Sequence, residues 1–202
     1  MKRAVLLGAT VLVVLLLAAP SYADVLLTAD WQMNETSGQM IDSSANHNNG
    51  DPKDVRRTGS RYVFNGSTSY VAVPDSDSLD PAEKDITLTS RLRVTDAPMD
   101  DDSYDIVRKG LAGRPGGDYK MEIKRAADPT VGKLHCLFEG DGGTVDKVAR
   151  VDIVDGKRGS TKAGSAGSIS NATNVLVGAK TAVPLDDTFD GKMDFVSIEI
   201  GQ

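Results

Sequence analysis

Cysteine is nearly absent from this chain: Cys136 stands alone in 202 residues. One cysteine excludes a disulfide scaffold within the chain. With only two histidines, His47 and His135, it also excludes the clustered spacings that hold zinc. Aromatic residues are scarce, with one tryptophan, five tyrosines and four phenylalanines. No stacking platform for sugar rings is visible among them. Basic charge is in deficit, with 23 Lys and Arg against 29 Asp and Glu and a net charge of −6. That balance argues against nucleic acid and anionic membrane surfaces as partners. Sustained helical periodicity is missing as well.

A single long apolar run exists, from Ala4 to Ala19, preceded by Lys2 and Arg3 and closed by Pro20. Ser21-Tyr22-Ala23 then supplies small residues where a signal peptidase reads. Residues 1–23 are therefore expected to be a removed secretory signal, leaving 24–202 as one domain outside the cytosol with no stable membrane insertion. The run falls short of the ~20 apolar residues of a spanning helix. Losing Lys2 and Arg3 takes the net charge from −6 to −8.

Alternation of period two fills the rest. In Ile86–Val94, positions 86, 88, 92 and 94 are apolar and 87, 89, 91 and 93 polar. Asp118–Lys124 places Tyr119, Met121 and Ile123 on one face and charges on the other. Lys133–Glu139 places Leu134, Cys136 and Phe138 together. Such strands predict one face on a core and one in water. Further strands are expected over 25–33, 61–65, 69–73, 104–109, 147–154, 174–179 and 192–200. Asn65-Gly66 predicts a hairpin turn, and Gly116-Gly117, Gly140 to Gly143, Asp155-Gly156 and Asp190-Gly191 predict further turns. About ten short strands with regular turns predict an all-β, two-sheet antiparallel sandwich.

Nucleophilic catalysis finds no support. His135 and Cys136 are adjacent, and adjacent strand residues point to opposite faces. His135 reads as a surface residue, Cys136 as a core one and His47 as part of a polar loop. Asn34, Asn65 and Asn171 each begin a glycosylation sequon, with Asn65 also suited to a turn.

Several blocks together resemble the laminin-G-like branch of the concanavalin A-like lectin/glucanase superfamily. They are Trp31–Gly38 with Ile41–Asn46 and Asn49-Gly50; Tyr62–Ser67 leading to Tyr70–Pro74; Val154–Lys157; Val175–Ala179; and Phe189–Ile198. The resemblance implies a jelly-roll sandwich, shortened here by about two strands after residue 157, where Arg158 to Ser170 is rich in Gly, Ser, Ala and Lys. It also implies that Cys136 has lost a partner with that segment, and that a strand edge near residues 133–153 is exposed and invites self-association. Glucanases of this superfamily carry closely spaced carboxylates on one strand; Glu122 is the only acid within Tyr119–Lys124, so no paired-carboxylate motif is found and no enzyme is expected.

Domains similar to this one often hold calcium, at the sandwich rim or beside paired first and last strands. If those strands pair, Asp30, Asp42 and Asp194 form a candidate calcium site. Other acidic clusters, at Asp75, Asp77 and Asp80, at Asp100 to Asp102 with Asp105, and at Asp186, Asp187 and Asp190, lie at strand ends; solvated loops are the alternative reading of all of them. The functional expectation is a secreted, non-catalytic, lectin-like binding or adhesion module for an extracellular glycan or protein. Its alternatives are a glycan-active hydrolase or lyase, or a truncated domain without ligand.

Overall fold

The structure is a computed structural model that describes residues 26–98, 102–125, 132–140, 149–150, 161–162 and 166–201. The expected signal segment, Asp100 and Asp101, and most of the region around residue 157 lie outside the described residues. The described strands, in chain order, are β1 (Leu26–Trp31), β2 (Asp51–Lys53), β3 (Arg56–Arg57), β4 (Tyr62–Asn65), β5 (Tyr70–Val73), β6 (Ile86–Val94), β7 (Ser103–Gly110) and β8 (Asp118–Arg125). They continue with β9 (Gly132–Glu139), β10 (Ala149–Arg150), β11 (Thr161–Lys162), β12 (Val175–Val177), β13 (Thr181–Ala182), β14 (Leu185–Asp186) and β15 (Asp190–Ile200). The only helical turn among the described residues is a 3₁₀ turn, Asp77–Leu79, capped by the Ser76 hydroxyl, which accepts the Ser78 N–H.

The chain folds as an all-β antiparallel sandwich. One sheet is built on β15, which pairs with β1 and β4 on one side and β6 on the other, with β3 beyond β4. The other sheet runs β2-β5-β12-β7-β8-β9. β10 pairs with β11 and β13 with β14 as two small ladders. Alternation explains the core between the sheets. Ala29, Trp31, Phe64, Met193, Val196 and Ile198 come from one sheet, and Val71, Val73, Tyr119, Met121, Val175 and Val177 from the other. Burying each large apolar side chain stabilises the fold by roughly 1.5–3 kcal/mol. Trp31 is core rather than platform, its Nε1 donating to the Asn48 carbonyl at 2.7 Å.

Two turn expectations are corrected. Asn65-Gly66 is not a hairpin: β4 and β5 lie in different sheets, so the turn carries the chain across the sandwich. Asn65 Oδ1 accepts the backbone N–H groups of Ser67, Thr68 and Ser69, which is the local chemistry that made the dipeptide look like a hairpin. Asp190-Gly191 is not a turn but the start of β15. A Cβ on Gly191 would stand 2.3 Å from the Arg93 carbonyl oxygen, so glycine is needed there for two flanking strands to close on it.

Candidate functional site

The expectation of one watery face fails on β8. Asp118, Lys120 and Glu122 are all buried, although they point away from the Tyr119–Ile123 core face. They belong to an array of charged side chains spread over three strands. The register sets Asp105 of β7 opposite Glu122 of β8, which faces His135 of β9. The next row is Arg108, Lys120 and Leu137, and the third is Gly110, Asp118 and Glu139. A basic stripe thus crosses the sheet between two acidic ones.

A β-bulge makes the array. Two residues of β7, Ile106 and Val107, occupy the space opposite Met121, and both turn into the core. This shifts the parity of the strand, so Asp105 and Arg108 share the outer face although they are three apart. Arg108 Nε lies 2.5 Å from Asp105 Oδ2, and its Nη1 lies 3.5 Å from Asp118 Oδ2. One guanidinium therefore serves two buried carboxylates. The other oxygens, Asp105 Oδ1 and Asp118 Oδ1, are buried and meet no hydrogen-bond donor among the described residues. Burial outweighs the Arg108 charge and pushes both carboxyls up to about 6.

Glu122 is the opposite case. Its Oε2 meets Lys120 Nζ at 2.7 Å and the Ser103 hydroxyl at 3.2 Å, and its Oε1 meets Lys124 Nζ at 3.1 Å and His135 Nδ1 at 2.8 Å. Burial works to raise it, but the hydrogen bonds and charges of Lys120 and Lys124 prevail and hold it at about 2. Burial lowers His135 despite its hydrogen bond to Glu122. Lys124 and His135 are the exposed end of the array, with side chains 48% and 29% accessible. At the far end Gly117 carries a φ of +70°, and a Cβ there would stand 2.1 Å from the Glu139 carbonyl oxygen; only glycine lets β8 begin so close to β9.

The expected calcium residues fall into two places. β1 and β15 do pair, and Asp30 and Asp42 come together: Asp42 Oδ1 accepts the Asp30 N–H at 2.8 Å, and Ser43 donates to Asp30 Oδ2 at 2.7 Å. Asp42 is buried, and its oxygens also accept from the Ser44 and Asn48 N–H groups and the Ser44 hydroxyl. It thus ties the loop after β1. Asp194 lies at a bulge of β15 and pairs with Arg61 at 3.5 Å. No three His, Cys, Asp or Glu side chains among the described residues are grouped to hold a metal ion.

Elsewhere, acidic clusters meet lysines. Asp75 and Asp80 hold the fully buried Lys109 ammonium at 2.6 and 2.8 Å, with the Asn171 carbonyl as a third partner. Asp186 and Asp187 hold Lys180 at 2.9 and 3.1 Å. Cys136 is buried on the core face, and burial raises its thiol to about 11. No helix among the described residues is long and apolar enough to cross a membrane.

The fold and this array define the chain as an antiparallel β-sandwich with a striped, charged sheet face. No family model, curated protein or solved structure matches it.

Proposed function

We propose that this chain is a secreted, non-catalytic, lectin-like binding or adhesion module of the laminin-G-like kind, and that the β7–β8–β9 charged face takes an extracellular glycan. The observation that carries this reading is the pair of buried carboxylate oxygens, Asp105 Oδ1 and Asp118 Oδ1, left without donors among the described residues. Buried polar groups in a finished core are normally satisfied, and polyhydroxylated ligands bring donors in the geometry that carboxylates accept. Lys124 and His135 form the accessible approach to the array. A glycan array with mature protein, run with calcium and with a chelator, tests the reading and its calcium dependence together. Binding without turnover, weakened about tenfold or more in a Lys124→Ala, His135→Ala variant, is the expected result. No binding under either condition overturns it and leaves a structural domain.

The second reading is a glycan-active hydrolase. Asp105 and Glu122 are directly opposed across β7 and β8, which brings Cβ atoms to about 4.5–5.5 Å. Glycoside hydrolysis needs two neighbouring carboxyls, about 5–9.5 Å apart according to its stereochemical course. Their protonation is also split, with Asp105 near 6 and Glu122 near 2, as an acid and a nucleophile require. Oligosaccharide cleavage that disappears in Glu122→Gln would decide for this reading.

A further inference from the structure

β6 is nine residues long, and its backbone pairs with β15 on one side and with no strand on the other among the described residues. It contains neither proline nor glycine. Its side chains alternate along the whole length: Ile86, Leu88, Leu92 and Val94 are half-buried against the core, and Thr87, Thr89, Arg91 and Arg93 are exposed. Natural edges are usually short, kinked or covered, because a long free row of N–H and C=O groups templates another strand. Among the described residues nothing pairs with this row, and the apolar side chains beneath it are only half covered.

We propose that β6 is the interface of a two-fold dimer, in which β6 of a second copy of this chain pairs with it antiparallel about Ser90. The sequence of the strand selects this occupant. With the axis at Ser90, Ile86 faces Val94 of the second copy, Leu88 faces Leu92, Thr87 faces Arg93 and Thr89 faces Arg91. The apolar rows of both copies fall on one side and cover each other's half-exposed flank. No two like charges stand directly opposite. Parallel in-register pairing, which propagates into fibres, would set Arg91 on Arg91 and Arg93 on Arg93, a destabilising match. The arginines therefore work against the open assembly and tolerate the closed one, which consumes both edges. Arg91 of each copy becomes a diagonal neighbour of the other, and Arg91 also lies over the Phe195 ring, 5.6 Å from its centroid.

Sedimentation equilibrium of the full mature chain over a concentration series, with amide exchange followed in 86–94, tests the interface. The expected result is a reversible monomer–dimer equilibrium, with protection of 86–94 rising with concentration and association strengthening as salt screens Arg91. Thr89→Glu places a carboxylate opposite Arg91 of the second copy and should tighten the dimer by about three- to tenfold, while Thr89→Lys should loosen it by a similar factor. Thr89 is exposed on the outer face, so both variants should keep the wild-type melting temperature within a few degrees. A monomer at every concentration overturns the proposal. So does a dimer in which 86–94 stays unprotected, or one whose strength moves the same way in both variants. Should a variant fail to fold, exchange in the wild-type chain decides alone.

Discussion

Asp105 and Arg108 stand three residues apart on one strand yet meet face to face, Nε to Oδ2 at 2.5 Å, because the bulge at Ile106–Val107 turns the strand between them. The same guanidinium also reaches Asp118 on the neighbouring strand. Arg108 is thus the cation that both aspartates share, while Lys120 and Lys124 serve Glu122.

Arg108→Met should therefore be among the most damaging substitutions in the domain. It leaves two buried carboxylates without their counter-charge, a loss of about 3–5 kcal/mol at pH 7.5. The damage should shrink near pH 4.5, where both carboxyls can take up protons. Urea unfolding at the two pH values checks both statements.

The array also sets a pH profile. Asp105 and Asp118 titrate at about 6 when folded against an ordinary value of 3.8, so the folded chain binds their protons more tightly. The stability they contribute is complete below about pH 4 and is lost as pH rises through 6. Glu122 runs the other way: its carboxyl at about 2 against 4.5 gives stability that is lost as pH falls below 4.5. His135, lowered from 6.5, opposes the aspartates below that pH as one group against two. The opposing slopes balance, and stability should peak, at about pH 3.5–4. Denaturant midpoints from pH 3 to 8 test this, and Asp105→Asn should flatten the fall on the alkaline side.

Lys109 is a buried ammonium between Asp75 and Asp80, joining the 3₁₀ turn region to β7 and the approach to β12. Lys109→Met should cost about 1–3 kcal/mol, because the partly solvated Asp75 and Asp80 carboxylates lose their shared cation. The midpoint of thermal or urea unfolding reads it directly.

Cys136 should be slow to label. Its thiol is buried on the core side of β9 and its acidity is suppressed to about 11, so little thiolate forms at pH 8. Labelling by an aromatic disulfide reagent should track global unfolding rather than precede it. Burst labelling of the native chain would show that the β9 edge opens, as the shortened-domain expectation requires.

Much of the fold was legible because alternation is local. Ile86–Val94 is a strand with the bounds its pattern predicts, and Tyr119, Met121 and Ile123 face the core as their spacing requires. The first and last strands do pair, the condition on which the candidate calcium site was drawn. The charged face was not legible. Glu122 looks solitary along its own strand because its partners, Asp105, Ser103 and His135, come from strands on either side. The Asp105–Arg108 pair was hidden by a bulge that breaks the period on which a strand is read. One signal was available: Asp118, Lys120 and Glu122 share parity, so a charged face on β8 could be read, but not its burial.

The sequence by itself determined the longer strands and, for β6, β8 and β9, which side meets the core, since both follow from a two-residue period. It could not determine which strands become neighbours, because pairing is a choice among distant segments made by the whole sandwich. That choice sent Asn65-Gly66 across the two sheets instead of around a hairpin. It placed Arg108 between two buried carboxylates and surrounded Lys109 with oxygens. It also left β6 at an edge among the described residues. Charge on a strand is a local fact, whereas the burial and pairing that give it chemistry exist only once the sheets have closed.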